Sequence, residues 1–353
     1  MSSGIDEVPV TAQPVGSTGD ATEAAGQPGN RLKMLDGWRA LSILFVLAAH
    51  MLPLGPKQWG ANGALAGVGM ALFFTLSGFL IVSILNRNPD VRSFLIRRLA
   101  RIVPLAWTAL AVAFAVKGLP FQYWPPNFLF YANLPPFWLD EWSSHFWSLC
   151  VEMQFYVAVA LAVLLLGRRG LWLVPVAALA VTAARVGTGT IISVVTWLRV
   201  DEILAGGILA LIIHAAPNGR AARLLRVMPF WPIVPFFMVS AAGNFPILEY
   251  LRPYMAATLV GITILRPVKG LTPLLESAPM SYVARISYAV YIIHHFTVFG
   301  WLNSGSGIVK YAKRPISFAI TFGLAHFSTF HFEQRFMDWA HRITSGGQRK
   351  VAG

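Results

Sequence analysis

The sequence predicts an all-α polytopic membrane protein, a bundle of about ten transmembrane helices. Three observations predict it. Hydrophobic residues make up 56% of the chain and charged residues only 12%, where soluble domains carry about 25% charge. The mean hydropathy is +0.60. Ten apolar stretches approach the ~20 residues that a spanning helix needs.

Residues 1–30 precede the first of these stretches. They contain Asp6, Glu7, Asp20 and Glu23 but no Lys, Arg or apolar run. A cleavable signal peptide needs a basic start and an apolar core, so a disordered cytoplasmic tail is expected instead. The apolar stretches are 38–54, 67–85, 102–116, 145–166, 171–186, 191–214, 229–242, 248–265, 281–302 and 316–332. The third, fifth and seventh are short or carry proline. Residues 31–341 form the transmembrane unit, and 342–353 a second cytoplasmic tail.

Orientation comes from the basic residues in short loops. With a cytoplasmic N-terminus, 20 Lys and Arg fall inside and 7 outside, and Arg199 lies within a span. Both termini are therefore expected in the cytoplasm. The net charge of +13 is explained by these clusters, and nucleic acid is not implied. Cys150 is the only cysteine, so no disulfide can form within the chain. The longest outer loop, about 118–144, is rich in Pro, Trp, Phe and Tyr, which suit a membrane interface and also sugar stacking.

Ionisable groups inside spans are costly and mark cavities or partners. Arg39 and His50 bracket RALSILFVLAAH. Eleven helical steps of 100° bring them within about 20° of one face, about 16 Å apart along the axis. Asp36 can pair with Arg39 and cap the start of that helix. Arg98 and Arg101 share a helical face in RSFLIRRLARIVP, and such arginines bind phosphate bidentately. Glu152 lies well inside the fourth span, a buried carboxylate that packing alone does not explain. Asp201 and Glu202 raise the same question more weakly, with Arg199 able to neutralise them. Tyr288, Tyr291 and His295 lie along one side of a late helix, with His294 on a neighbouring face. Glu333 and Arg335 end the last span and read as interfacial. Nothing in the sequence has the form of a metal site, a phosphate-binding loop, a dinucleotide fold or a serine-nucleophile elbow.

Together these stretches resemble the acyltransferase-3 family of integral membrane acyltransferases. The motif of a basic residue, ten residues and histidine is Arg39 to His50. F-x-x-S-G-F is Phe74, Ser77, Gly78 and Phe79. R-x-x-R is Arg98 and Arg101, and W-S-L-x-x-E is Trp147, Ser148, Leu149 and Glu152. I-S-Y-x-x-Y-x-x-H is Ile286, Ser287, Tyr288, Tyr291 and His294. The resemblance covers about residues 32–340. Met153 stands where a second glutamate is usual, His295-Phe296 where Trp-Pro is common, and Arg335 where a proline often follows Glu333.

The resemblance implies the stand-alone form of the family, without a fused soluble domain, in the bacterial inner membrane. It implies transfer of an acyl group, commonly acetyl, to a hydroxyl of an extracytoplasmic glycan such as exopolysaccharide or O-antigen. The donor is expected to be acetyl-CoA or another acyl-CoA, as co-substrate and not as a bound cofactor. Arg39, Arg98 and Arg101 are expected to hold its phosphates. The extended pantetheine arm is on the order of 15–20 Å long, which suits the rise to His50. His50 is expected to act as general base, with Glu152 orienting it or binding the acceptor. Asp36, Ser77, Trp147, Tyr291 and His294 are expected to support the site. The partners are then acyl-CoA, a glycan and the bilayer. Two other readings fit polar groups in a membrane. One is a proton-coupled transporter, although the internal symmetry many transporters show is missing. The other is an acyltransferase acting on a secondary metabolite.

Overall fold

The computed structural model describes residues 28–351, with side chains described for 33–345. The expected N-terminal tail lies almost wholly outside the described residues. All regular structure among them is helical. The elements are α1 (Pro28–Met51), α2 (Ala61–Arg87), α3 (Val91–Lys117), the short α4 (Trp124–Phe128), α5 (Trp147–Leu166), α6 (Leu173–Thr188) and α7 (Asp201–His214). There follow α8 (Arg220–Val227), α9 (Ile233–Val239), α10 (Pro246–Leu265), α11 (Thr272–Leu275), α12 (Ala278–His294), α13 (Gly307–Ala312) and α14 (Arg314–Phe327). A π-helical turn, Ser328–Glu333, joins α14 to α15 (Gln334–Val351).

Among the described residues, four stretches are long and apolar enough to cross a membrane: Lys33–Met51, Ala61–Arg87, Val91–Lys117 and Ser144–Thr188. The last joins α5 and α6. The other expected spans take different forms. The stretch 191–214 is irregular up to Asp201, so Arg199 precedes its helix and does not lie within it. The 14 residues of α7 reach only about 21 Å, short of a ~30 Å hydrocarbon core. Seven residues of α9 replace the span expected over 229–242. Helix α10 has the length, at 20 residues, but carries the buried charges Glu249 and Arg252.

Helix α2 is the centre of the bundle. Its apolar stretch is 83% buried, against 39% for α3. It packs on α1 and α7. The contact with α7 is backbone against backbone: a Cβ at Gly78 would strike the Ile203 carbonyl, and one at Gly206 the Thr75 carbonyl. Small residues permit such approach between apolar helices. Gly78 is thereby explained by packing, while its neighbour Ser77 is left facing a cavity.

Helix α1 begins at Pro28, eight residues before Asp36. Asp36 therefore caps nothing, contrary to expectation, and is an internal residue of α1. Helix α3 has a true cap. Asp90 Oδ1 accepts from the Ser93 backbone N–H at 3.0 Å. Hydrogen bonding to Ser93 holds the Asp90 carboxyl below the usual carboxylate range. The stability it contributes is thus present above the ordinary carboxylate pKa of about 4 and is lost as pH falls through the lowered value. Asp90→Ala is expected to cost about 0.5–2 kcal/mol near neutral pH. Thermal unfolding in detergent should show that difference shrinking once Asp90 is protonated.

The segment 118–146, between α3 and α5, is ordered. Asn127 Nδ2 donates to the Tyr123 and Trp138 carbonyls at 2.9 and 2.8 Å. Lys117 Nζ pairs with Asp140 at 2.6 Å. Partial burial opposes ionisation of Asp140, but the Lys117 ammonium and the Trp142 backbone N–H outweigh it and hold the carboxyl below the usual range. The segment ends in the 3-10 turn Ser144–Phe146, which carries a histidine into the bundle.

Candidate active site

Helices α1, α3 and α12, the π turn and α15 bring their polar residues to one end of the bundle. Arg39 of α1 lies beside Arg98 and Arg101 of α3. Arg39 Nη1 pairs with Asp36 Oδ1 at 3.1 Å, one turn earlier on α1. Three cavities meet at Arg39 and Arg101. One, of about 320 Å³, is walled by Arg97, Arg98, His341 and the apolar side chains of Leu35, Leu80 and Ile84. A second, of about 580 Å³, lies against Ser281, Arg285, Thr329, Phe330, Glu333 and Gln334. The third is narrow, about 60 Å³, and runs into the bundle past Ser77, Phe73, Glu152, Tyr156 and Tyr288.

Glu152 belongs to the narrow cavity. Its Oε1 accepts from Ser77 Oγ and from Tyr156 Oη, the latter at 2.6 Å. Its hydrogen bonds therefore do not go to His50, and the expectation that it orients His50 is corrected. Tyr156, one helical turn on, is the partner that the sequence did not assign. Glu333 is also displaced from expectation. It is 4% exposed and lines the 580 Å³ cavity, not an interface. Its Oε1 accepts from Ser328 Oγ at 2.8 Å.

An aromatic wall leads from the narrow cavity to the other end of α1. Phe73 stacks on Tyr291, with ring centroids 5.9 Å apart at 9°. Tyr291 meets His294 at 5.7 Å, and His294 meets His50 edge-on at 5.2 Å. Tyr291 Oη donates to the His145 carbonyl at 2.7 Å and so accepts from Ser148 Oγ at 2.5 Å. Trp147 lies away from the histidines. Its ring packs on Phe74 and under the Arg199 guanidinium.

His50 stands in a cluster of four imidazoles. His145 and His295 have ring centroids 4.4 Å apart, and His295 is 6.3 Å from His50. Each ring is oriented by a backbone carbonyl, which can only accept. His50 Nδ1 bonds the Val46 carbonyl at 2.8 Å, His294 Nδ1 the Tyr291 carbonyl at 2.7 Å, and His145 Nε2 the Ile292 carbonyl at 3.2 Å. His295 Nε2 bonds the Glu141 carbonyl at 3.0 Å. A neutral imidazole has one N–H, so the other nitrogen of each ring is a bare acceptor. For His50 that atom is Nε2. The buried ones, His145 Nδ1, His294 Nε2 and His295 Nδ1, have no hydrogen-bond partner among the described residues. Among the described residues, no three His, Cys, Asp or Glu side chains are grouped to hold a metal ion. Sequence reasoning missed His145. Its only signal was its place two residues before Trp147.

A buried ion network supports this end of the bundle. Arg185 pairs with Asp201. Glu202 Oε1 accepts from Arg199 Nη1 and Arg252 Nε, each at 3.0 Å, and Glu249 lies 3.9 Å from Arg252. Arg185 and Arg252 are 1% and 3% exposed. Both charges are therefore held inside the fold.

Residues 32–330 match the acyltransferase-3 family, described as an acyltransferase domain. The chain belongs to that family, and it is a helical membrane protein. It is 24% identical over 317 residues to the peptidoglycan O-acetyltransferase OatA of Listeria monocytogenes, covering 74% of this chain and 48% of OatA. It is 32% identical over 148 residues to YrhL of Bacillus subtilis, provisionally named a peptidoglycan O-acetyltransferase, covering 35% of this chain and 22% of that protein. A Staphylococcus aureus (strain COL) protein, provisionally named an O-acetyltransferase, is 31% identical over 147 residues, covering 35% of this chain and 23% of its own. The chain thus spans about half or less of the length of these relatives. No solved structure matches it.

Proposed function

We propose that this chain is an O-acyltransferase that moves an acyl group, acetyl in the simplest case, from an acyl-CoA to a hydroxyl of an extracytoplasmic glycan. The observation that carries the reading is the layout of α1. Arg39, flanked by Arg98 and Arg101, stands near its middle, and His50 stands about 16 Å further on, at its C-terminal end. His50 presents a bare Nε2 because its Nδ1 is committed to the Val46 carbonyl.

The donor phosphates bind at the arginines, where guanidinium forks match phosphate oxygens. The pantetheine arm follows the narrow cavity past Ser77, Glu152 and Tyr288. His50 Nε2 takes the proton of the acceptor hydroxyl as its oxygen attacks the thioester carbonyl. The C–S bond breaks, a C–O bond replaces it, and the imidazolium returns its proton to the departing sulfur. Family membership and the names of the relatives support transfer over proton-coupled transport. They also make a cell-wall or surface glycan the first acceptor to try. The proposed setting is the bacterial inner membrane, with about ten crossings and both termini cytoplasmic, in line with the basic residues of the inner loops.

The test uses purified protein in detergent or liposomes with acetyl-CoA and glycan, following free thiol and O-acetyl product together. The double variant Arg98→Ala with Arg101→Ala is expected to raise the donor KM by about 10²-fold or more, since each charge-assisted hydrogen bond is worth about 1.5–3 kcal/mol. An unchanged donor KM would remove the arginines from the donor site.

A further inference from the structure

The donor end of the site has more than one lobe. Three cavities of different size and lining meet at Arg39 and Arg101. The narrow one suits a thin chain. The 320 Å³ cavity adds Arg97, Arg98 and His341 to the two shared arginines, with the Asp36 carboxylate already paired to Arg39, which suits phosphate groups. The 580 Å³ cavity differs in chemistry. Its own polar side chains include neutral donors and acceptors, the hydroxyls of Ser281 and Thr329 and the amide of Gln334. It also holds a flat face, because the Arg285 guanidinium lies over the Phe330 ring at 5.5 Å.

We propose that this cavity is a nucleoside subsite, in which a planar heterocyclic base lies against Phe330 and Arg285 and is read by Gln334. The inference rests on the donor reading above and deepens it. Aromatic rings and guanidinium planes are the surfaces on which bases stack. Gln334 Nε2 donates to Asp338 Oδ1 at 2.9 Å, and its second N–H and carbonyl oxygen offer a donor and an acceptor to a base edge. The size agrees, since ligand sites run from about 300 to 1,000 Å³.

The backbone supplies an independent argument. The wall carrying Thr329, Phe330 and Glu333 is the π turn Ser328–Glu333, a rare geometry that recurs at functional sites. Glu333, fixed by Ser328, lines the nucleoside lobe, while Arg97 and Arg98 line the other, so the phosphates belong with those two arginines. A thioester carried on a single phosphodiester would engage the phosphate lobe and leave the Phe330 lobe without a role. The two-lobed site therefore selects a nucleotide-bearing thioester.

Binding to the detergent-solubilised full chain tests this without any acceptor. The ligands are CoA, adenosine 3′,5′-bisphosphate and 4′-phosphopantetheine, titrated by calorimetry. Wild type is expected to bind all three, CoA most tightly. Gln334→Ala, Arg285→Gln and Phe330→Ala should each weaken CoA and the bisphosphate by about 5- to 100-fold, the range of base-stacking losses, and leave 4′-phosphopantetheine unchanged. Gln334 and Arg285 are exposed, so their replacement does not threaten the fold if Phe330→Ala does. Normal CoA binding by Gln334→Ala and Arg285→Gln would overturn the subsite while the donor reading stood. Equal losses for all three ligands would also overturn it. Failure of wild type to bind CoA at all would instead sink the donor reading.

Discussion

Replacing His50 with alanine is expected to lower acyl transfer by about 10²–10⁴-fold, the usual worth of a positioned general base. The loss should fall on kcat, because the arginine cavities, about three turns away along α1, are left intact. Donor binding should therefore match wild type, which separates the chemical defect from a folding defect. The argument is geometric. Nδ1 is held by the Val46 carbonyl, so Nε2 is the nitrogen free to accept a proton. His50 is the exposed member of a cluster in which His145 and His294 are buried. It is thus the imidazole a large acceptor can reach. His50→Gln makes a sharper control, since glutamine can hydrogen-bond the hydroxyl without taking its proton. A glutamine variant with wild-type kcat would show that His50 only positions the acceptor.

How far the sequence led to this site depends on the kind of information each residue needed. Arg39 and His50 were legible because one unbroken helix carries both, and helical periodicity alone sets their face and separation. Arg98 and Arg101 were legible for the same reason. Glu152 was found but misplaced. Its direction depends on how α5 packs against α2, and Ser77 of that helix turns it toward the arginines. Glu333 was misread as interfacial because an α-helix was assumed through 316–332. The π turn rotates it into the cavity, and sequence periodicity carries no sign of such a turn. His145 was missed because its neighbours, His294 and His295, are about 150 residues away, and only the fold of the segment before α5 brings them together. The helix count suffered from another cause. Apolar runs were measured as though each were straight, whereas 191–200 and 229–232 are irregular.

Glu202→Ala is the substitution expected to damage the fold most. Its Oε1 accepts from both Arg199 and Arg252 at 3.0 Å, and Glu202 itself is fully buried. Removing it leaves two guanidinium groups in a site where three carboxylates face three arginines. Breaking a buried pair by deleting one partner costs about 3–5 kcal/mol, because the remaining charge is neither solvated nor paired. Here two arginines lose their shared partner, and the nearest other carboxylate, Glu249, lies 3.9 Å from Arg252. The damage should also reach the site. Arg199 lies over the Phe74 and Trp147 rings, at the points where the F-x-x-S-G-F helix meets the W-S-L-x-x-E helix. Thermal unfolding in detergent should show a midpoint lower by about 6–20 °C, at roughly 2–4 °C per kcal/mol for a chain of this order of size. Glu202→Gln should fall between wild type and alanine, because it keeps the acceptor oxygen but not the charge. If glutamine proves as stable as glutamate, hydrogen bonding and not charge holds α7 in place. If alanine is also as stable, the network contributes nothing measurable to the fold, and Arg199 does not depend on it to stay over Trp147.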